Sequence, residues 1–415
     1  MANILTRIVR RAFRLDRSEK RSAASTLSNP ADWVLRLLGS SSSTGLQVTK
    51  DNALTVTALW RAIDILSGVT AALPFKVHRE FQGRVDVANA HPVNQLLRYH
   101  DNSDMTAFSF MYSMMANAIL FGAAAAEIIR DERGQPIQLR LLKGQIDIWE
   151  DSEGNRYVND WETATRTAIP IGDCVFIPGI LIQDGIRGKT IYAVFREVFG
   201  ESMAMQQFGN RFYANGAFPT GVLESDKKIS PEGIQRLREG FSSQFGGLEN
   251  VGKTPVLQDG IEYKPIQNNL RDAQFTESRR LNVGDISRIT GVPPHMLGDL
   301  ERATFSNIEH QNQEFITYTL NPWLVRIEQE FNKKLFVRRE RGEYYTKFNI
   351  EAMLRGDMQS QAEYFLKMVQ MGALSPNEVR RLTNQNPAEG GDQKYIMSNL
   401  MKLGQTPISD EQTNG

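Results

Sequence analysis

Cysteine is almost missing from this chain: Cys174 is the only one in 415 residues. An intrachain disulfide framework is therefore excluded, and a reducing compartment of synthesis is implied. Histidine is scarce too. His78, His91, His100, His295 and His310 show no metal-ligand spacing, so neither a metal nor another cofactor is expected. No apolar run reaches the roughly 18 to 20 residues that a membrane span needs. The basic N-terminal stretch MANILTRIVRRAFRLDRSEKR lacks the apolar centre and cleavage site of a signal peptide. Charge of one sign is also lacking, since 48 Lys and Arg balance 48 Asp and Glu. That removes the global signature of a tight nucleic-acid binder and leaves room for one along which DNA moves, because each neutralised phosphate adds grip. No G-x-S-x-G elbow and no singled-out carboxylate pair occur, so no catalytic residue is named.

What is present is an ordinary balance for a folded protein, 41% hydrophobic and 23% charged, over a length that exceeds one core and implies two or three subdomains. Residues 1–53 read as a basic arm followed by a Ser/Thr-rich linker, with folding expected to begin near Leu54. Leu59, Ile63, Leu66 and Val69 fall at helical spacing, and Pro74 closes that run. PFKVHREFQGRVDV predicts two strands joined at Gln82-Gly83. Asp104 or Thr106 can cap the helix MTAFSFMYSMMANAILFG, whose methionines read as core packing. Between Ala123 and Ile177 alternating patterns predict a half-exposed antiparallel sheet. A helix of about 25 residues from Thr190, a rod nearly 40 Å long, follows. A strand–helix–strand insertion comes next, its helix opened by Ser230-Pro231. Together these predict an α+β fold, and the polar end of the chain is expected to be disordered.

The stretch 271–335 organises the rest. Phe275, Leu281, Val283, Ile286 and Ile289 make only a thin apolar stripe, while Arg271, Arg279, Arg280 and Arg288 alternate with Asp272, Glu277 and Asp285. Such a helix packs beside copies of itself or lines something wet. Pro293 and Pro294 end it, because proline donates no backbone hydrogen bond and restrains the residue before it. One motif competes for attention. GLENVGKT at 247–254 matches the phosphate-cradling pattern G-x-x-x-x-G-K-[ST], but that loop needs a strand before it and a helix after it, and here the order is reversed.

The phrases ALWRAIDILSGVTAALPFKVHR at 58–79, HPVNQLLRYHDNSDMTAFSFM at 91–111, RFYANGAFPTGVL at 211–223 and, most specifically, QFTESRRLNVGDISRITGVPPHMLGD with ATFSNIEHQNQEFITYTLNPWLVRIEQEFNKKL at 274–335 resemble the portal proteins of long-tailed bacteriophages. The tract RGKTIYAV at 187–194 departs from the Gly-x-Ser-Pro-like phrase of that family. The resemblance implies a portal fold assembled as a ring of about twelve subunits. It comprises a flexible arm and linker (1–53), an α/β wing (54–189, with a returning strand at 344–350), and a stem of two helices (190–215 and 269–295). A small α/β clip (216–268), a tunnel loop (296–306), a long helix after it (307–335), a helical crown (357–385) and a polar tail (386–415) complete it.

The function so implied is a channel at one capsid vertex through which double-stranded DNA is packaged, retained and ejected, in a protein made in the host cytoplasm and carried in the virion. Arg279, Arg280, Arg288, Glu301, Arg302 and Thr304 are the candidate channel residues, a few cations guiding phosphates while acidic neighbours limit the grip. Glu239, Gln244, Glu249 and Lys253 of the clip are the candidates for docking the terminase large subunit and, later, a head-completion adaptor. The major capsid protein and scaffold are the other implied partners. Two alternatives stand beside this reading: a P-loop ATPase using Lys253 and Thr254, and a structural adaptor that is not a portal.

Overall fold

The computed structural model describes residues 40–99, 105–160, 168–182, 188–214, 221–226, 228–245, 261–265, 271–300, 305–350, 358–383 and 385–395. Order begins earlier than the composition suggests. Strands β1 (Ser40–Ser41) and β2 (Gln47–Val48) form a small hairpin, and helix α1 (Lys50–Ala53) is opened by a capping box between Thr49 and Asn52. Ser43 donates from both its backbone N–H (2.9 Å) and its hydroxyl (2.7 Å) to the carboxylate of Glu197, 154 residues away. Part of the expected linker is therefore strapped to a distant helix through its polar groups, a partnership that local composition cannot signal.

Helix α2 (Thr57–Ala72) buries Leu59, Ile63 and Leu66 of the expected stripe, with Val69 only half-buried and Ala62, Ser67 and Thr70 buried beside them, and ends as Leu73 turns extended before Pro74. β3 (Phe75–Phe81) and β4 (Arg84–Val87) form the hairpin expected at Gln82-Gly83, where both turn residues adopt positive φ, 50° and 74°. Helix α3 (Pro92–Tyr99) packs on β3, with the buried Asn94 side chain accepting from Val77 N–H at 2.9 Å. Thr106, not Asp104, caps α4 (Ala107–Phe121), whose Met111, Met114 and Met115 are buried against α2.

The single sheet expected over 123–177 is two. β5 (Ala123–Arg130) lies between β6 (Pro136–Leu141) and a later strand, while β7 (Ile146–Glu150), β8 (Arg156–Asp160) and β9 (Ile169–Pro170) make a separate three-stranded sheet. β10 (Cys174–Pro178) completes the first sheet, antiparallel to β5. Four consecutive alanines explain the division. Ala124 and Ala126 face the main core with Val175 and Ile177, whereas Ala123 and Ala125 face a second core with Ile146, Ile148, Val158, Cys174 and Phe176. A strand covered on both faces loses the alternation that marks a half-exposed one. Burial pushes the Cys174 thiol up to about 12, so it stays protonated and unreactive.

β11 (Leu181–Ile182) and β12 (Gly188–Lys189) pair beside a close backbone contact in which Gly122, Gly179 and Gly188 take part. Gly122, at φ +79°, ends α4; a Cβ there would sit 2.6 Å from the Lys189 carbonyl oxygen, one on Gly179 would sit 2.5 Å from the Ala118 carbonyl oxygen, and one on Gly188 would overlap Gly122 itself. The expected continuous rod then proves to be a single turn, α5 (Ile191–Val194), a break at Phe195, and helix α6 (Arg196–Ala214). β13 (Gly221–Ser225), α7 (Pro231–Phe245) and β14 (Ile261–Pro265) form a strand–helix–strand unit in which Phe241 stacks on Tyr263 at 5.9 Å and Lys264 pairs with Glu224 at 2.6 Å.

Helix α8 (Arg271–Thr290) leads through the proline break to α9 (Phe305–Glu314), a π-helical turn (Phe315–Leu320) and α10 (Asn321–Leu335), which together make one long helix. β15 (Tyr344–Phe348) returns to pair with β3, and Phe75 stacks on Phe348 at 4.1 Å and meets Phe331 edge-on at 5.3 Å. Last come α11 (Met358–Gln370) and α12 (Pro376–Leu382), the latter opened by a capping box of Ser375 and Glu378. Asn377, one residue inside α12, ties the following segment down: its carboxamide accepts from Ala388 N–H at 2.7 Å and donates to the Ala388 carbonyl at 3.0 Å. The polar end expected to be disordered lies outside the described residues from 396 onward.

Candidate functional site

The proline break is a built joint. Thr290 and Ile286 are buried at the end of α8, and Gly291 leaves the helix at φ +73°. The Thr319 hydroxyl, carried by the π-turn, donates to the Gly291 carbonyl at 2.8 Å, and a Cβ on Gly291 would stand 2.5 Å from that same hydroxyl. Only glycine admits both the backbone angle and the contact. Val292 is buried, Pro293 is extended, and Pro294–Leu297 form a 3-10 turn that Gly298 reverses at φ +95°.

His295 spans the joint. One ring nitrogen lies 2.8 Å from the Gln311 carboxamide oxygen and the other 3.0 Å from that of Asn312, both on α9. A carboxamide turned by 180° offers N–H in place of oxygen, so the pair can satisfy either protonation state of the ring. The six residues 299–304 lie between Gly298 and α9, with Leu300 64% exposed. Sequence reasoning passed over His295, Gln311, Asn312 and Thr319; only the Gly-Val-Pro-Pro phrase signalled that something irregular sits here.

Helices α6 and α8 meet through polar groups. Ser202 of α6 donates to Asn282 of α8 at 2.6 Å, and the Asn282 amide reaches the Met205 sulfur at 3.7 Å. On α8, Ile286 is fully buried while Leu281 is 60% exposed, which is the thin stripe seen in the sequence. Arg288 is exposed and pairs with Asp285 one turn back. Arg279 and Arg280 lie on α8, but their side chains fall outside the described residues, as do Glu301, Arg302 and Thr304 altogether. On α7, Glu239 is exposed and accepts from Gln235 at 3.1 Å. Gln244 lies on the same helix with its side chain outside the described set; Glu249 and Lys253 are outside it too, along with the GLENVGKT stretch. The flanks of that stretch are helix α7 before it and strand β14 after it, the reverse of a phosphate-cradling loop.

The long helix is fixed at its other end. Along one ridge of α10, Arg326 donates to the carbonyls of Pro178 (2.9 Å) and Gly179 (3.0 Å), Glu330 accepts from Phe176 N–H (3.1 Å), and Lys334 donates to the Ile171 carbonyl. Along the neighbouring ridge, Glu328 accepts from Phe348 N–H at 2.8 Å and Asn332 accepts from Thr346 N–H at 2.6 Å. β10 and β15 are edge strands, so these side chains occupy ladder positions that a further strand would fill. Burial has a cost here: it lowers the pKa of Arg326 and Lys334 and raises that of Glu328, in each case disfavouring the charge. Among the described residues no group of three His, Cys, Asp or Glu side chains could hold a metal, and no helix is long and apolar enough to cross a membrane.

Comparison with known proteins places this geometry. The family model described as phage portal protein matches residues 57–384. The portal protein of Enterobacteria phage HK97 is 30% identical over 377 residues, covering 88% of this chain and 86% of that one. A probable portal protein of Streptomyces phage phiC31 is 29% identical over 401 residues, covering 91% and 85%. Among solved structures, an HK97 family phage portal protein from Corynebacterium diphtheriae superposes with a TM-score of 0.56 at 18% identity, covering 75% of this chain and 98% of its own. A chain from the neck of a native gene transfer agent particle, computed with C12 symmetry, gives 0.51 at 19% identity, covering 81% and 93%.

Proposed function

The chain belongs to the phage portal protein family, and from that premise we propose that twelve copies close into a ring at one capsid vertex, with the joint of each facing a common axis. The protein is a portal, a channel for double-stranded DNA, and the observation that carries this is the family match across residues 57–384. The likeness to a neck chain in a twelve-fold particle supports the ring. α6 and α8 serve as the stem, the β13–α7–β14 unit as the clip, residues 299–304 as the constriction that meets DNA, and α11 with α12 as the crown.

Within that frame Arg279, Arg280, Arg288 and Arg302 guide phosphates, and Glu301 and Thr304 share the constriction with Arg302. The Asp285 partner of Arg288 moderates its pull, as sliding requires. The clip, with Glu239, Gln244, Glu249 and Lys253, docks the terminase motor during packaging and a head-completion adaptor afterwards; the motor hydrolyses the nucleotide and this chain hydrolyses nothing. Electron microscopy of the purified protein is the direct test: rings with a central hole are expected, and a persistent monomer at high concentration overturns the reading. Reversal of charge in Arg302→Glu is expected to lower the DNA packaged or retained while rings still assemble. Failure of ring assembly in that variant would assign Arg302 a structural role instead. Tight ATP binding abolished by Lys253→Ala would restore the nucleotide-site alternative.

A further inference from the structure

The segment 333–341 reads KKLFVRRER, five cations against one carboxylate, and it begins where the long helix ends. Two of the five have structural work. Lys334 donates to the Ile171 carbonyl and lies 3.7 Å from Glu330. Arg341 folds back onto the helix terminus, donating to the carbonyls of Phe336 (3.2 Å) and Lys333 (2.8 Å). The one carboxylate is taken as well, since Glu340 accepts from Gln135 at 3.1 Å and from Val337 N–H at 3.3 Å. Lys333, Arg338 and Arg339 are exposed, and among the described residues their side chains have no ion-pair or hydrogen-bond partner.

The helix dipole accounts for Lys333, which sits in the last turn, but not for the two arginines beyond it. Nearby carboxylates do not serve them either. Asp131 is engaged by the N–H groups of its own hairpin turn, and Glu343 by Arg79. Three exposed like charges within seven residues of chain favour an anion that joins them, and the planar fork of arginine fits phosphate oxygens in pairs. Two further observations narrow the partner. No large hydrophobic side chain of the segment is exposed, so the patch lacks the apolar anchor around which protein interfaces are built. The helix is also a ruler: its 31 residues from Phe305 to Leu335 span roughly 45 Å, so a duplex held at residues 299–304 is a full helix length away.

We propose that Lys333, Arg338 and Arg339 form a second phosphate-binding patch, which holds double-stranded DNA against the wing and outside the channel. The test uses assembled rings of the full chain and relaxed closed-circular duplex, which cannot thread a preformed ring. Wild-type rings are expected to bind the circle with strong salt dependence. Arg338→Gln with Arg339→Gln is expected to weaken that binding about tenfold at low salt and to reduce the slope of log affinity against log salt by about 2 for each subunit engaged. The charge-keeping pair Arg338→Lys with Arg339→Lys retains binding. Unchanged affinity of the glutamine variant for the circle overturns the proposal. So does polyglutamate competing as well as DNA at equal charge, which would give the patch to an acidic protein surface. If the double variant does not assemble, Arg339→Gln alone is measured, with about a threefold loss expected and no loss counting against the patch. Threading of linear DNA depends on the channel, so its failure alone leaves this patch standing.

Discussion

The two halves of the long helix have similarly polar sequences and opposite situations. α10 buries Trp323, Leu324, Ile327, Phe331 and Leu335 along one side. Its polar residues Arg326, Glu328, Glu330 and Asn332 are spent on backbone groups at two sheet edges that no neighbouring strand pairs. α9 has exposed Glu309, His310, Gln313 and Glu314, and the hold that its described side chains provide is the carboxamide pair on His295. Polarity in a helix therefore has two meanings: in one half it is a set of ties to two sheet edges, in the other it leaves the element lightly held. A fixed half and a lightly held half give one rod a rooted end and an end that is more readily displaced.

That contrast can be broken most severely at its apolar root. Phe331→Ala removes a fully buried ring from between α10 and β3 and is expected to cost about 3–5 kcal/mol in urea unfolding, whereas Ile308→Ala on α9 should stay within about 1 kcal/mol. Equal losses at the two positions would erase the distinction. Glu330→Ala leaves the Phe176 N–H without its acceptor at the sheet edge, and a loss of about 1–3 kcal/mol is expected by the same measurement.

On the lightly held side, His295→Ala is expected to change global stability by only about 1 kcal/mol while raising the rate of tryptic cleavage after Arg302 several-fold. An unchanged cleavage rate would show that the carboxamide bridge does not position residues 299–304. The smallest effect concerns Glu328. Its pKa is raised on folding, so the native state binds more protons than the unfolded one above the ordinary glutamate value of about 4.3, and its contribution to stability falls as pH rises through that range. Glu328→Gln can still accept from Phe348 N–H and should flatten that part of the pH–stability curve; an unaltered slope would mean the burial cost is compensated elsewhere.

Much of the fold was legible in the sequence because its signals are local. The stripe of α2, the Gln82-Gly83 turn and the Ser-Pro openings of α7 and α12 each follow from a few neighbouring residues. The hairpin at 40–48 was not legible, because Ser43 finds Glu197 across 154 residues and serine-rich composition reads the same free or docked. The division of the strands into two sheets was hidden by Ala123–Ala126, which pack on both faces. The joint was half legible: Pro293 and Pro294 announced a stop, but Gln311 and Asn312 look like any solvated helix face until His295 lies between them. The channel candidates came from the resemblance and not from spacing, and Arg288 alone of them has a described side chain.

The π-turn at Phe315–Leu320 also sets an angle. One residue advances an α-helix by about 100°, and a π-turn accommodates an added residue without breaking the rod. Helix α9 before it is thereby rotated about the helix axis relative to the face that α10 presents to β10 and β15. Deleting a single residue there would let the rod run as plain α-helix with α10 still seated, and would swing the tip through more than a quarter turn. The direction in which α9 faces is thus written as a phase, by one surplus residue midway along the rod.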